Sequence, residues 1–281
     1  MTPILEVQNL THVYSMGTPF AHRAISDISM AIYPGEFLGM IGHTGSGKST
    51  LISHLNGLLR PTQGKVLYPK AWDTRQLRFH VGLVFQYPEY QLFEDTVEKD
   101  IAFGPKNMGL SQQEIQARVE EAAELVELTR AQLCASPFQL SGGQRRRAAI
   151  AGVLAMRPEV LILDEPTAGL DPSGRDTLLR QLKSYRQRYN AAIVMVSHSM
   201  EEIAECVDRL VVLQEGRLVL EGTPAQVFSQ GDTLREIGLS VPQVTLICDR
   251  LRDMGLPLPE GIYTVEAAAR ALTALRGDRH A

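Results

Sequence analysis

The sequence predicts an α/β fold built on a mainly parallel sheet, buried on both faces and flanked by helices. Three observations carry this reading. Five short runs, residues 37–41, 81–85, 160–163, 191–196 and 210–213, consist only of apolar residues and glycine, which suits strands covered on both faces. Helical patterns lie between several of them, at 48–59, 144–156 and 173–189, so consecutive strands are joined by right-handed crossovers. At 281 residues the chain can hold one large domain with an appendage, or two domains.

Taken in order, residues 4–14 alternate well enough for a half-buried edge strand. Between 86 and 136 the pattern turns helical, with Ile115, Val119, Ala122 and Val126 on one side of a segment at 111–128. This is read as a helical insert, about 87–157, inside a first domain covering 1–230. Beyond it, Val244, Ile247, Leu251 and Met254 form one helical stripe and Val265, Ala269, Leu272 and Leu275 another, separated by Leu256-Pro257-Leu258-Pro259. Residues 231–281 are therefore expected to form a small C-terminal helical subdomain.

Bulk properties exclude several classes. A net charge of -4 and a pI near 6.0 argue against a nucleic-acid surface. The one tight basic cluster, Arg145, Arg146 and Arg147, reads either as a solvated helix face or as positive field near bound phosphates. Cys134, Cys206 and Cys248 have no metal-ligand spacing and are expected to be reduced thiols of a cytosolic protein. Residues 1–10 read as a strand rather than a secretory signal. The purest apolar runs fall far short of the roughly 20 residues that span a bilayer. The chain is expected not to cross a membrane, while association with a protein that does stays open.

The chemistry lies at the ends of the apolar runs. Gly42-His43-Thr44-Gly45-Ser46-Gly47-Lys48-Ser49-Thr50 follows one of them and opens a helix. Its glycines let backbone N–H groups close around phosphate oxygens, with the helix dipole behind them. Lys48 is expected at the β- and γ-phosphates, Ser49 on Mg²⁺ and Thr50 near the α-phosphate of a nucleoside triphosphate. Asp164 and Glu165 end the run 160–163, where open α/β sheets place ligands. Asp164 fits the metal side, directly or through water, and Glu165 can orient or deprotonate an attacking water. Gln86 and His198 leave their strands in the same manner. Gln86 is placed at Mg²⁺ and the water, and His198 at the γ-phosphate. Tyr14 either stacks on adenine or simply packs. Leu140-Ser141-Gly142-Gly143-Gln144 opens a further helix with bare backbone N–H groups, a second phosphate-binding device, downstream of the first loop and just upstream of the strand that ends in Asp164 and Glu165.

In this order the motifs resemble the Walker A, Q-loop, signature, Walker B, D-loop (Ala168-Gly169-Leu170-Asp171) and H-loop of ABC-type ATPases, over roughly residues 4–230. The resemblance implies a P-loop NTPase fold with ATP and Mg²⁺ as ligands. It also implies two cassettes sandwiching two ATPs, so that Ser141, Gly142, Gly143 and Gln144 act on the partner's nucleotide and Asp171 crosses the interface. The segment Phe85-Gln86-Tyr87-Pro88-Glu89-Tyr90-Gln91-Leu92-Phe93, with 100–105, is similar to energy-coupling factor and cobalt/nickel transporter ATPases. Gly17-Thr18-Pro19-Phe20 and Thr44 look like the second, EcfA-prime type of ATPase in the energy-coupling factor group. That implies a peripheral protein on the cytoplasmic face of the cell membrane, powering uptake of a vitamin or micronutrient. Its implied partners are a sister EcfA-like ATPase as heterodimer, a transmembrane EcfT-like coupling protein and a membrane substrate-binding S-component, with no nucleic acid. A groove bearing Tyr87, Glu89, Tyr90 and Phe93 would receive helices of the membrane protein, Glu89 meeting a basic residue there. The C-terminal helices either assist contact between ATPases or pack on their own domain. A conventional cobalt/nickel or other ABC transporter is the alternative. A soluble ABC ATPase acting on DNA or the ribosome is disfavoured by the short insert, the single cassette and the acidic charge.

Overall fold

The computed structural model describes residues 2–277. Two sheets form its frame. The first is antiparallel, with β1 (Leu5–Tyr14) flanked by β2 (His22–Ile32) and β4 (Gln63–Leu67). The expected edge strand at 4–14 is thus a central one. The reason is β4: Gln63, Gly64 and Lys65 are exposed and leave no apolar signal, yet the backbone pairs Val7 with Val66 and Glu6 with Leu67. The second sheet comprises β3 (Phe37–Ile41), β5 (Val81–Val84), β6 (Val160–Asp164), β7 (Ala192–Val196), β8 (Arg209–Gln214) and β9 (Arg217–Gly222), in the order β5-β6-β7-β3-β8-β9. Its first five strands are parallel, and β9 closes one edge as an antiparallel hairpin with β8.

Helices α1 (Lys48–Leu55), α2 (Leu77–His80), α3 (Val97–Asn107), α4 (Gln112–Leu125), α5 (Arg130–Cys134), α6 (Gly142–Leu154), α7 (Pro172–Tyr189), α8 (Met200–Cys206), α9 (Pro224–Phe228), α10 (Gly231–Glu236), α11 (Gln243–Asp253) and α12 (Val265–Gly277) complete the chain. One core lies between the two sheets, where α1 contributes Leu51, Ile52 and Leu55 against Ile28, Leu38 and Val211. α1 stops at Leu55 rather than 59 because Gly57 turns the chain at φ 73°. The larger core joins the other face of the parallel sheet to α3, α4 and α6 of the insert and to Leu178, Leu182 and Tyr185 of α7.

The C-terminal stripes differ from expectation. Leu234, Leu239 and Val241 still bury into the large core, and a separate small core of Cys248, Leu258, Ile262 and Ala268 begins only with α11. Ala268 faces inward instead of Ala269, while Ile247, Met254 and Val265 are exposed. Tyr263 leans on Phe228 and ties this unit to the main body. The three cysteines are free thiols. No described helix is long and apolar enough to cross a membrane.

Candidate functional site

The sheet order assembles the site. β3 runs into Gly42–Thr50, β5 into Gln86, β6 into Asp164 and Glu165, and β7 into Ser197 and His198. These are four consecutive parallel strands, so all these residues emerge along one carboxyl edge. The acids come from the strand next but one to β3, with β7 between, rather than from an adjacent strand.

The phosphate loop is shaped by its glycines. Gly47 holds φ 100°, and a Cβ there would lie 2.7 Å from Ile25 Cγ2 and 2.8 Å from the Ala24 carbonyl oxygen. Only glycine fits, because β2 presses on the loop from behind. Gly47 is also the N-cap of α1 and supplies no side-chain cap, so the first N–H groups of the helix are left for a ligand. Lys48 is almost fully buried, and its Nζ donates to the carbonyls of Gly42 (2.6 Å) and His43 (3.0 Å). Burial lowers its pKa, against the raising influence of the Glu165 and Asp164 carboxylates. Ser46 is wholly buried beneath the loop, whereas His43, Thr44 and Gly45 are exposed.

Across from the loop, Ser49 Oγ donates to Asp164 Oδ2 at 3.3 Å. Burial raises the Asp164 pKa, the neighbouring Glu165 adds to it, and the Ser49 hydroxyl, Lys48 and His198 oppose it. Glu165 is held between two strand ends: Gln86 Nε2 donates to its Oε2 at 3.0 Å and His198 Nε2 lies 2.8 Å from its Oε1. Its backbone sits at φ 49°, a left-handed conformation unusual for Glu. Tyr14 stands beside the loop, its hydroxyl 3.3 Å from Thr50 Oγ1 and its ring edge-on to His12.

Ser141–Gln144 lies apart from this cluster. Ser141 caps α6 by accepting from Gln144 N–H, and the Gln144 side chain returns a bond to Ser141 N–H. This box uses the N–H groups of Ser141 and Gln144 and not those of Gly142 and Gly143, which stand in the first turn, where a helix has no internal acceptor, and a Cβ at either glycine would meet only open space. Ser141, Gly143 and Gln144 line a cleft of about 540 Å³ with Gly169 and Asp171, and no residue of 42–50 reaches it among the described residues. Asp171 itself caps α7 through Gly174 N–H at 2.7 Å.

Arg146 departs from the solvated-face reading. It is buried, its Nε meets Glu89 Oε2 at 3.3 Å, it donates to the Ala168 carbonyl, and its guanidinium lies over the Tyr87 ring. Glu89, expected to meet a basic residue of a partner, is already paired. The signal was readable, since Arg146 falls four residues before Ile150 and eight before Leu154, on the inward stripe of α6. Tyr90, Phe93 and Phe103 remain exposed, and the latter two line a groove of about 530 Å³.

A phosphate loop, a strand-end acid pair and a carboxylate held by Gln and His define a nucleoside-triphosphate-hydrolysing P-loop protein. Comparison with known proteins sharpens that class. The family model described as "ABC transporter" matches residues 25–168, and one described as "AAA domain, putative AbiEii toxin, Type IV TA system" matches residues 134–204. The energy-coupling factor transporter ATP-binding protein EcfA2 of Clostridium tetani is 52% identical over 95% of this chain and 96% of its own length. Its namesake in Caldanaerobacter subterraneus is 50% identical over 98% and 99%. Among solved structures, cbiO1 of Clostridium perfringens, part of the cbiONQ ABC transporter complex, superposes with TM-score 0.74 at 36% identity, covering 90% of this chain and 99% of that one. A dimeric ATP-binding cassette in a post-hydrolysis state with ADP and Pi superposes with TM-score 0.68 at 28% identity, covering 78% and 98%. The chain belongs to the ABC transporter ATPases and, within them, to the energy-coupling factor transporter ATP-binding proteins. It is an ATP-binding ATPase.

Proposed function

We propose that the chain is the ATP-hydrolysing subunit of an energy-coupling factor importer, in which closure of two cassettes on ATP powers uptake of a vitamin or micronutrient. The observation that carries this is the separation of its two phosphate devices. The loop at 42–50 shares a site with Asp164, Glu165, Gln86 and His198, whereas Ser141–Gln144 opens onto a different cleft. A signature motif that cannot reach its own loop serves a second cassette. The names of the relatives supply the partner class, and the sister ATPase is proposed to be EcfA-like. EcfT-like and S-component membrane subunits complete the assembly, with this chain peripheral on the cytoplasmic face.

In this reading the backbone N–H groups of 42–50 and Lys48 hold the β- and γ-phosphates, Thr50 the α-phosphate, and Tyr14 the adenine. The all-oxygen set of Ser49, Asp164 and the Gln86 side chain suits Mg²⁺. When bound, the ion neutralises phosphate charge. Glu165 accepts the proton of the attacking water, held in orientation by Gln86 and His198. Ser141, Gly142, Gly143, Gln144 and Asp171 act on the sister's nucleotide. The groove with Phe93 and Phe103, beside exposed Tyr90, receives cytoplasmic helices of the membrane partner. The expected role of Glu89 there gives way to its pairing with Arg146.

The test is Glu165→Gln in the assembled transporter. It is expected to keep ATP binding and slow hydrolysis by roughly 10²–10⁴. Near-normal turnover would remove Glu165 from the role.

A further inference from the structure

Glu202 has no place in the chemistry above, yet it is buried directly behind it. It belongs to α8, in the first turn after His198, and only 5% of its surface is exposed. Its Oε2 accepts from Thr167 Oγ1 at 2.8 Å and from Ser197 Oγ at 2.9 Å. Both hydroxyls are buried. Ser197 Oγ in turn accepts from Ser199 N–H at 3.0 Å, and Ser199 Oγ accepts from Glu202 N–H. Thr167 stands two residues after Glu165, and Ser197 immediately precedes His198. One carboxylate oxygen therefore fastens together the segments that follow β6 and β7.

What those segments must hold is specific. Glu165 and His198 meet at 2.8 Å, and Glu165 does so from a left-handed backbone. Such a conformation is strained and persists only where the surroundings over-determine it. Besides Glu202, one backbone bond, Glu165 N–H to the Val196 carbonyl, joins the two strand ends here. Hydroxyl bonds to a buried carboxylate are short and directional. We infer that Glu202 is a positioning residue for ATP hydrolysis: through Thr167 and Ser197 it sets the distance between the Glu165 carboxylate and His198, without touching nucleotide. This rests on the catalytic assignment of Glu165 and His198, and the test separates the two.

The measurement is steady-state ATP hydrolysis by the full chain in its assembled transporter. Glu202→Ala is expected to lower kcat about ten- to a hundredfold while KM for ATP and nucleotide Kd stay within about twofold. Glu202→Gln keeps an acceptor oxygen and is expected to stay within about fivefold of wild-type kcat. Thr167→Val, which removes one hydroxyl at constant shape, should show the same split and takes over if Glu202→Ala does not fold. Combining Glu202→Ala with His198→Ala should add little to His198→Ala alone, because both act on one contact. Wild-type kcat in Glu202→Ala or Thr167→Val, or losses that multiply in the double variant, would overturn the assignment. If His198→Ala alone leaves turnover unchanged, the underlying catalytic reading has failed and takes the inference with it.

Discussion

At the residue scale, charge placement decides behaviour. Lys48 is buried and satisfied by two loop carbonyls, so nucleotide binding must exchange those bonds for phosphate oxygens. Lys48→Ala is accordingly expected to weaken ATP binding markedly, and unaltered affinity in a titration would count against the phosphate-loop role. His54 gives a prediction about pH. It is buried on α1 against His12, and burial pushes its pKa down to about 4. Between that value and the ordinary value near 6.5 the unfolded chain binds the proton and the folded chain does not, so stability falls as pH drops through this window and is flat above it. At pH 5 the loss attributable to His54 is about 2 kcal/mol. Urea unfolding at pH 7 and pH 5 should show it, and His54→Asn should flatten the difference; an unchanged pH dependence in that variant would exclude His54 as its source.

At the scale of elements, legibility followed burial. The strands β3, β5, β6, β7 and β8 were readable because both faces are covered and every position is apolar or glycine, apart from their ends. β4 and β9 were not, since β4 is mostly exposed and β9 alternates half-buried with exposed positions. Such strands are defined by backbone pairing rather than by hydrophobic pattern. The loop, acids, Gln86 and His198 were legible because each sits at the end of a readable strand. Glu202 was not, because a charged side chain on a helix reads as surface until its partner is known, whereas for Arg146 the signal was its place on the inward stripe of α6 with Ile150 and Leu154. α6 shows what that partner means. Arg146 joins the segment after Gln86, through Glu89 and Tyr87, to the start of the D-loop at Ala168. Arg146→Ala leaves Glu89 uncompensated and is expected to cost about 3 kcal/mol of stability. A thermal or urea melt that does not move would show that the pair contributes nothing.

For the whole molecule, the exposed Phe93 and Phe103 meet edge-on and line the groove of the helical insert, and exposed Tyr90, three residues before Phe93, leans on Tyr87. Removing Tyr90 and Phe93 as a pair by alanine should leave ATP binding intact and abolish co-purification with the membrane subunits. Retained assembly would move the docking surface elsewhere. The C-terminal unit, with its own small core and exposed Ile247, Met254 and Val265, is outside that chemistry.

The central claim is that this chain's signature motif completes a nucleotide site on another cassette. The direct measurement is Ser141→Arg in the assembled transporter, following both ATP labelling of this chain's own loop and hydrolysis by the complex. Ser141 is exposed and lines a cleft to which residues 42–50 do not contribute. Labelling of this chain is expected to stay within about twofold of wild type while hydrolysis falls by roughly 10²-fold or more. Lost labelling of its own loop, or unchanged hydrolysis, would contradict a site shared between two chains.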